Sequence, residues 1–244
     1  MLSAKNYITI ALGDGLGGAF FCRHGGGSPP PFDTLNVSYG VGDTAEQVED
    51  NRRLIKEVLG LDSLLSARQV HGDRILAIDV LPLGDIEYDG YDALITNLAG
   101  VGIMVQQADC QAVVLHDPGA RVVANVHVGW RGSVADILTQ TIQRMQDDFG
   151  ADPYRVMAAI SPSLGPCCAE FTNFQAELPD SFHANQVRPA YFDFWAISRH
   201  QLLKAGVRPA NIRTVGICTR CDPNYFSYRR EGRTGRSATV VALV

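Results

Sequence analysis

Gly102-Ile103-Met104-Val105, Ala112-Val113-Val114-Leu115 and Val122-Val123-Ala124-Asn125-Val126-His127-Val128 follow one another with short polar or glycine-bearing breaks between them. Short runs rich in β-branched residues and bounded by turn formers read as strands. The third run ends at Gly129-Trp130-Arg131-Gly132, which reads as a turn. Ser133 reads as the N-cap of a helix whose apolar stripe is Val134, Ile137, Leu138, Thr141, Ile142 and Met145. On this reading His127 closes a buried strand. Arg131 then lies just before a helix N-terminus, where orphan N–H groups and positive partial charge suit an anion.

On either side the chain repeats the mixture. Upstream, Ala19 to Arg23, Ile75 to Val80 and Ala93 to Thr96 read as strands, and Gly25 to Pro31 as an irregular loop. Asp43 or Thr44 caps a helix in which Val48, Leu54, Ile55, Val58 and Leu59 recur at helical spacing up to Gly60. The Gly13 to Gly18 run reads as a turn, because a dinucleotide fingerprint needs a following helix and a matching acidic residue. Downstream, Val156 to Ile160 reads as a strand and Ser161 to Pro166 as a turn. A helix is expected from Ala169 and another around Ala196 to Ala205, with strands at Ile212 to Ile217 and Ala238 to Leu243. Strands and helices mixed without strict βαβ alternation predict an α+β fold of packed layers, and residues 1–244 read as a single domain.

The bulk properties narrow the function. A net charge of −5 leaves no basic surplus for nucleic acid. No run of about 18 apolar residues suggests a membrane span, and no export signal is read, so the expected location is cytoplasmic. Six cysteines in 244 residues are too sparse for a disulfide scaffold, so metal or catalytic roles rank above disulfides. A monomer is compatible with a single acidic domain of this size.

Three residues stand out as metal ligands. His71 lies in Arg68-Gln69-Val70-His71-Gly72, Cys110 in Gln107-Ala108-Asp109-Cys110, and His127 in Val126-His127-Val128-Gly129. Each sits at an expected strand end or turn beside polar or glycine residues. Two imidazoles and a thiolate suit zinc, and three protein ligands leave a fourth position open, as in catalytic rather than structural sites. Asp109 is a candidate to orient a ligand imidazole. Arg23, Arg131, Arg229 and Arg230 are candidates to grip phosphate. Asn36 and Gln69 are candidates to line the pocket, and Trp130, Phe226 and Tyr228 to stack on a planar ligand, although core packing explains these aromatics equally well. Cys167-Cys168 and Cys218-x-x-Cys221 lack the second knuckle of a standard four-cysteine zinc site, so a structural metal is not expected there.

The ordered pieces Arg23-His24-Gly25-Gly26-Gly27-Ser28, Leu35-Asn36, Val41-Gly42-Asp43, Asn51-Arg52, Gln69-Val70-His71-Gly72, Asp92-Ala93-Leu94, Ala108-Asp109-Cys110, His127-Val128-Gly129-Trp130-Arg131-Gly132, Leu164-Gly165-Pro166-Cys167-Cys168, Ser227-Tyr228-Arg229-Arg230 and Thr234-Gly235-Arg236 carry a resemblance over most of the chain. They resemble the multicopper polyphenol oxidase (laccase-domain) family, regarded as zinc-dependent purine nucleoside phosphorylases and also called peptidoglycan editing factors. The resemblance implies a layered α/β/β/α fold similar to the catalytic domain of cytotoxic necrotizing factors. It implies zinc on His71, Cys110 and His127, with Cys168 bordering the pocket. It further implies phosphorolysis of adenosine, inosine and methylthioadenosine by inorganic phosphate, with some adenosine deamination. Ser161 stands where the family usually has Gly, and Ala169 where it has an aromatic; both departures bear on substrate preference rather than fold.

Two other enzyme classes compete. A copper oxidase shares the His₂Cys set, but six histidines without a His-x-His pair do not supply the further coppers. A cysteine hydrolase or amidase acting on peptidoglycan precursors would use Cys110 as nucleophile and His127 as base, and would not need a metal. A non-enzymatic binding module would leave an open-site ligand set without purpose.

Overall fold

The computed structural model describes residues 2–81 and 83–244. Its strands in chain order are β1 (Tyr7–Thr9), β2 (Leu16–Phe21), β3 (Ser63–Arg68), β4 (Ile75–Ile78), β5 (Ile86–Asp89), β6 (Ala93–Thr96), β7 (Val101–Gln107), β8 (Gln111–Asp117), β9 (Val122–Val128), β10 (Met157–Ile160), β11 (Gln186–Arg188), β12 (Tyr191–Phe192), β13 (Ile212–Thr214) and β14 (Ser237–Leu243). The α-helices are α1 (Ala45–Leu59), α2 (Trp130–Val134), α3 (Ile137–Phe149), α4 (Phe174–Glu177), α5 (Phe194–Lys204) and α6 (Tyr228–Glu231).

Two mixed six-stranded sheets carry the molecule. One has the order β1-β2-β14-β7-β3-β5, the other β13-β10-β8-β9-β6-β4. Strands β7, β8, β9 and β14 are buried at every residue, so both faces of the sheet centres are covered. Leu65, Ile103 and Val241 of the first sheet meet Leu94, Val114 and Val123 of the second in an apolar layer. Ile55 of α1 packs on the outer face of the first sheet with Phe21, Leu64 and Val240. Ile137, Leu138, Ile142 and Met145 of α3, with Leu202 of α5, pack on the outer face of the second. The layers are therefore helix, sheet, sheet, helix, and the fold class is α+β. Among the described residues no helix is long and apolar enough to cross a membrane.

Local chemistry explains most element ends. The Thr44 side chain accepts the Gln47 N–H at the start of α1, and Gly60, at φ 65°, closes it with its N–H on the Lys56 carbonyl. Elsewhere the structure revises the expectations. Strand β2 begins at Leu16 and ends at Phe21, so half of the glycine run is strand and Arg23 is outside it. A Cβ on Gly18 would fall 2.6 Å from the Val240 carbonyl oxygen, so glycine there permits close approach to β14. Gly129-Trp130-Arg131-Gly132 is the start of α2 rather than a turn. Gly129 is its N-cap residue, Ser133 lies inside it, and α3 begins only after Asp136.

No helix starts at Ala169. The Ala169 carbonyl instead accepts the Phe192 N–H at 3.1 Å, and only the short α4 forms farther on. Phe171, Phe174, Phe182, Phe192 and Phe194 cluster there, so aromatic packing shapes this segment rather than helical hydrogen bonding. Strands β4 and β13 stop at Ile78 and Thr214, short of Val80 and Ile217. Strands β3 and β5 carry Ser, Arg, Glu and Asp among their apolar residues. They form because each finds a parallel partner, β3 pairing with both β7 and β5.

Candidate active site

Sheet register brings the three candidate ligands together. In the β8–β9 hairpin Gln111 pairs with Val128 and Ala112 with His127, so Cys110, one residue before β8, arrives beside the end of β9. Strand β6 lies on the other side of β9 with Ala93 opposite Val126, and β4 pairs with β6 from Ile75 opposite Ala93. Asp92 therefore sits next to His127, and the loop before β4 delivers His71 to the same place. The candidate ligand atoms of His71, Cys110 and His127 all lie within 4.8 Å of one another, and the two imidazole rings meet edge to face with centroids 4.8 Å apart.

Asp92 organises this cluster. Its Oδ1 lies 2.8 Å from His127 Nδ1, and its carboxylate accepts the backbone N–H groups of Val70, His71 and Gly72. His71 is held at φ 59°, a strained backbone for a residue with a Cβ, and the Asp92 contacts hold it there. Occupying His127 Nδ1 leaves Nε2 for a metal. Burial works to raise the Asp92 carboxyl, but the bond from His127 and the backbone N–H groups hold it below the usual range. Burial likewise opposes ionisation of Cys110, yet the charge and hydrogen bond of His127, with help from His71, bring the thiol down to about 6. Burial would lower His127, but the facing Cys110 and Asp92 raise it to about 9.

The cluster has room for an ion. A Cβ on Gly129 would lie 3.2 Å from His71 Cδ2 and 3.5 Å from Cys110 Sγ, so the missing side chain keeps the space among the ligands open. Soft sulfur and borderline imidazole donors, a carboxylate behind one imidazole and an uncrowded centre fit a metal ion with an open fourth position.

The ligands open onto a cavity of about 990 Å³, a size that suits a small-molecule ligand. Its polar lining includes Arg68, Gln69, Asp109, Arg131, Arg229 and Arg236. Its apolar lining includes Trp130, Leu164, Phe171 and Phe194. The Arg131 guanidinium stacks on Trp130, 4.2 Å from the ring centre. Gln69 exchanges two 2.8 Å bonds with the Gln106 backbone, which ties the His71 loop to β7. Arg236 donates through Nη1 to the Thr234 and Gly235 carbonyls, and burial pushes its guanidinium down.

The other sequence candidates divide between the cavity wall and the frame around it. Arg23 does not line the cavity: it pairs with Glu231 at 2.6 Å and Asp33 at 3.3 Å and lies over Phe226. Arg230 likewise holds Glu231 and the carbonyls of Thr219, Arg220 and Tyr225. Asn36 is fully buried, and its amide bonds Ser38, Asp43 and the Arg236 N–H. Phe226 is core, whereas Tyr228 reaches the cavity. Cys168 lies among three other cysteines. Asp109 lines the cavity at φ 86°. Its carboxylate accepts Thr219 Oγ1 at 2.7 Å and the Arg229 N–H at 2.6 Å, so the carboxylate on the ligand imidazole is Asp92, not Asp109.

Sequence reading missed Asp92, Arg68 and Arg236 as site residues. A carboxylate immediately before the apolar run Ala93–Thr96 was the available signal for Asp92; nothing local marks the two arginines.

Known proteins resemble this chain in sequence and in fold. The family described as multi-copper polyphenol oxidoreductase laccase matches residues 18–244. A purine nucleoside phosphorylase of Xylella fastidiosa (strain Temecula1) is 34% identical over 230 residues, covering 88% of this chain and 87% of the relative. An adenosine deaminase, RL5, from an unknown prokaryotic organism is 36% identical over 227 residues, covering 85% and 86%. The crystal structure of the Bacillus licheniformis hypothetical protein YfiH superimposes with a TM-score of 0.90 at 25% identity, covering 100% of this chain and 98% of that one. With this match over nearly its whole length and the fold to go with it, the chain belongs to the multi-copper polyphenol oxidoreductase laccase family.

Proposed function

We propose that this protein is a zinc-dependent purine nucleoside phosphorylase acting on adenosine, inosine and methylthioadenosine, with adenosine deamination as a side activity. The observation that carries the reading is the His71–Cys110–His127 cluster, oriented by Asp92, at the wall of a cavity lined by arginines and aromatic rings. The Xylella relative, a purine nucleoside phosphorylase, and the RL5 relative, an adenosine deaminase, support it. Zinc on these three residues supplies Lewis acidity and a fixed positive charge.

The chain supplies the rest. On this reading Arg131, Arg229 and Arg236, which line the cavity, bind inorganic phosphate, and the Trp130, Phe171 and Phe194 rings form the apolar wall for the purine. Phosphate attacks the sugar carbon, the carbon–oxygen bond forms as the glycosidic bond to the base breaks, and the departing base takes its proton from dihydrogen phosphate or solvent. Binding both reactants in one cavity converts a two-body reaction into an oriented one.

The test is adenosine turnover with and without phosphate, on protein whose metal has been assayed. Phosphate-dependent adenine release that disappears on chelation and returns with zinc is the expected result; phosphate-independent or chelator-resistant turnover defeats the reading. One observation favours a second reading. Cys110, His127 and Asp92 stand in the order of a thiol hydrolase, with a thiol brought down to about 6 beside a carboxylate-bound imidazole. An amidase of that kind survives a chelator and dies with a thiol alkylator. The family's description is that of a copper oxidase, but the second metal-ligand cluster among the described residues is all cysteine and supplies none of the histidines that the further coppers of such an oxidase need.

A further inference from the structure

The turn Gly165-Pro166-Cys167-Cys168 and the turn Cys218-Thr219-Arg220-Cys221 lie 50 residues apart in sequence and face each other in the fold. The Ser163 N–H bonds the Ile217 carbonyl at 3.1 Å and the Thr219 N–H bonds the Ser163 carbonyl at 3.0 Å, which aligns the two segments side by side. The sulfurs of Cys167, Cys168, Cys218 and Cys221 all lie within 4.8 Å of one another. Cys221 Sγ is 3.7 Å from Cys167 Sγ and 3.5 Å from Cys168 Sγ. A tetrahedral zinc with bonds of about 2.3 Å to sulfur places its ligands about 3.8 Å apart. The two Cys221 separations lie close to that edge, and the other four fall within 4.8 Å.

The surroundings suit an anionic metal thiolate. The Gly165 N–H donates to Cys218 Sγ at 3.3 Å, and Arg220 Nη1 approaches Cys168 Sγ at 3.5 Å. Arg188 donates to the Cys167 carbonyl and Arg229 to the Cys168 carbonyl. Backbone N–H groups and guanidinium cations around sulfur stabilise thiolates. Cys218 and Cys221 form one two-residue-spaced knuckle, with the Cys221 and Asp222 N–H groups both on the Cys218 carbonyl. The vicinal pair after Gly165 takes the place of the second knuckle, because the Cys168 and Ala169 N–H groups both turn back onto the Gly165 carbonyl.

We propose that Cys167, Cys168, Cys218 and Cys221 form a second, structural zinc site distinct from the His71–Cys110–His127 cluster. With all four positions taken by protein sulfur, the ion has no open coordination site and does no chemistry. Its effect is to clamp together two segments that build the cavity wall. Leu164 and Ala169 line the cavity from one segment. From the other, Thr219 holds Asp109 next to the ligand Cys110.

The test uses the full chain, purified under reducing conditions and assayed for metal. About two zinc ions per chain are expected, one per cluster. The metal-free protein titrated with cobalt alone should develop intense sulfur-to-cobalt charge-transfer absorption of a four-thiolate site. That spectrum should survive in His71→Ala and disappear in the Cys218→Ser/Cys221→Ser double variant, which should keep one zinc. The single variant Cys167→Ser, at an exposed position, should keep the fold and weaken cobalt binding at this site. Zinc should raise the melting temperature of His71→Ala. A wild-type chain with one zinc that His71→Ala removes overturns the proposal. So does a cobalt spectrum indifferent to the cysteine changes, or a disulfide among these cysteines by mass spectrometry in protein prepared with metal present. Each readout is independent of nucleoside turnover, so failure of the phosphorylase reading leaves this proposal standing, and the reverse.

Discussion

Asp92 shows how one side chain sets the chemistry of others. Its carboxylate fixes the His127 ring and collects the N–H groups of residues 70–72. Asp92→Asn should therefore weaken zinc binding about 10- to 100-fold, since residues behind a ligand imidazole carry effects of that order; competition against a chromophoric chelator measures it. Gly129→Ala should leave the fold intact and impair metal binding and turnover, because the added methyl enters the space among the ligands at 3.2 Å from His71. Normal zinc affinity in Gly129→Ala would show that the space is not used.

Among the elements, the β8–β9 hairpin and the short helix α2 divide the arginines into two groups. Arg131, on α2, lines the cavity, whereas Arg23, beyond the end of β2, is tied to Glu231 and Asp33. Arg131→Ala should raise the KM for phosphate more than the KM for nucleoside, read from steady-state kinetics with each substrate varied. Arg23→Ala should leave the phosphate KM unchanged and cost about 2 kcal/mol of stability, the scale of a hydrogen bond to a charged group, read from the denaturant midpoint. The hairpin strands were legible because each carries a short run rich in β-branched residues, broken in β9 only by Asn125 and His127, and bounded by glycine or polar residues. Helix α2 was not, because Trp-Arg-Gly-Ser has no helical stripe and folds only where Gly129 and the end of β9 hold it. Residues 169–173 failed as a helix for the complementary reason: neighbouring aromatic rings offered better packing.

For the whole molecule, acid stability follows from carboxylates held in the native fold. Burial alone would raise Asp117, but Arg155 and the N–H groups of Asp152, Gly119 and Ala120 hold it below the usual range. A depressed native value means that its stabilisation is fully present above the unfolded value of about 3.9 and is lost as pH falls through the native value. Asp117→Asn should lower the melting temperature at neutral pH and flatten its fall on the acid side; a parallel fall in both proteins would remove Asp117 from the account. The proposed four-cysteine zinc adds a metal-dependent part to the same stability, separable by chelation at constant pH.

By itself the sequence determined the α+β class, the main buried strands, the first long helix and the three residues with metal-ligand chemistry. These follow from periodicity, capping and donor type, which are local properties. Only the tertiary structure decided that Asp92 rather than Asp109 orients the imidazole, that Arg68 and Arg236 face the cavity while Arg23 and Arg230 brace Glu231, and that two cysteine pairs converge. Those outcomes depend on which strands pair and in what register. Sheet pairing joins residues tens of positions apart through backbone hydrogen bonds and buried surface, and neither leaves a mark in the local pattern of the chain.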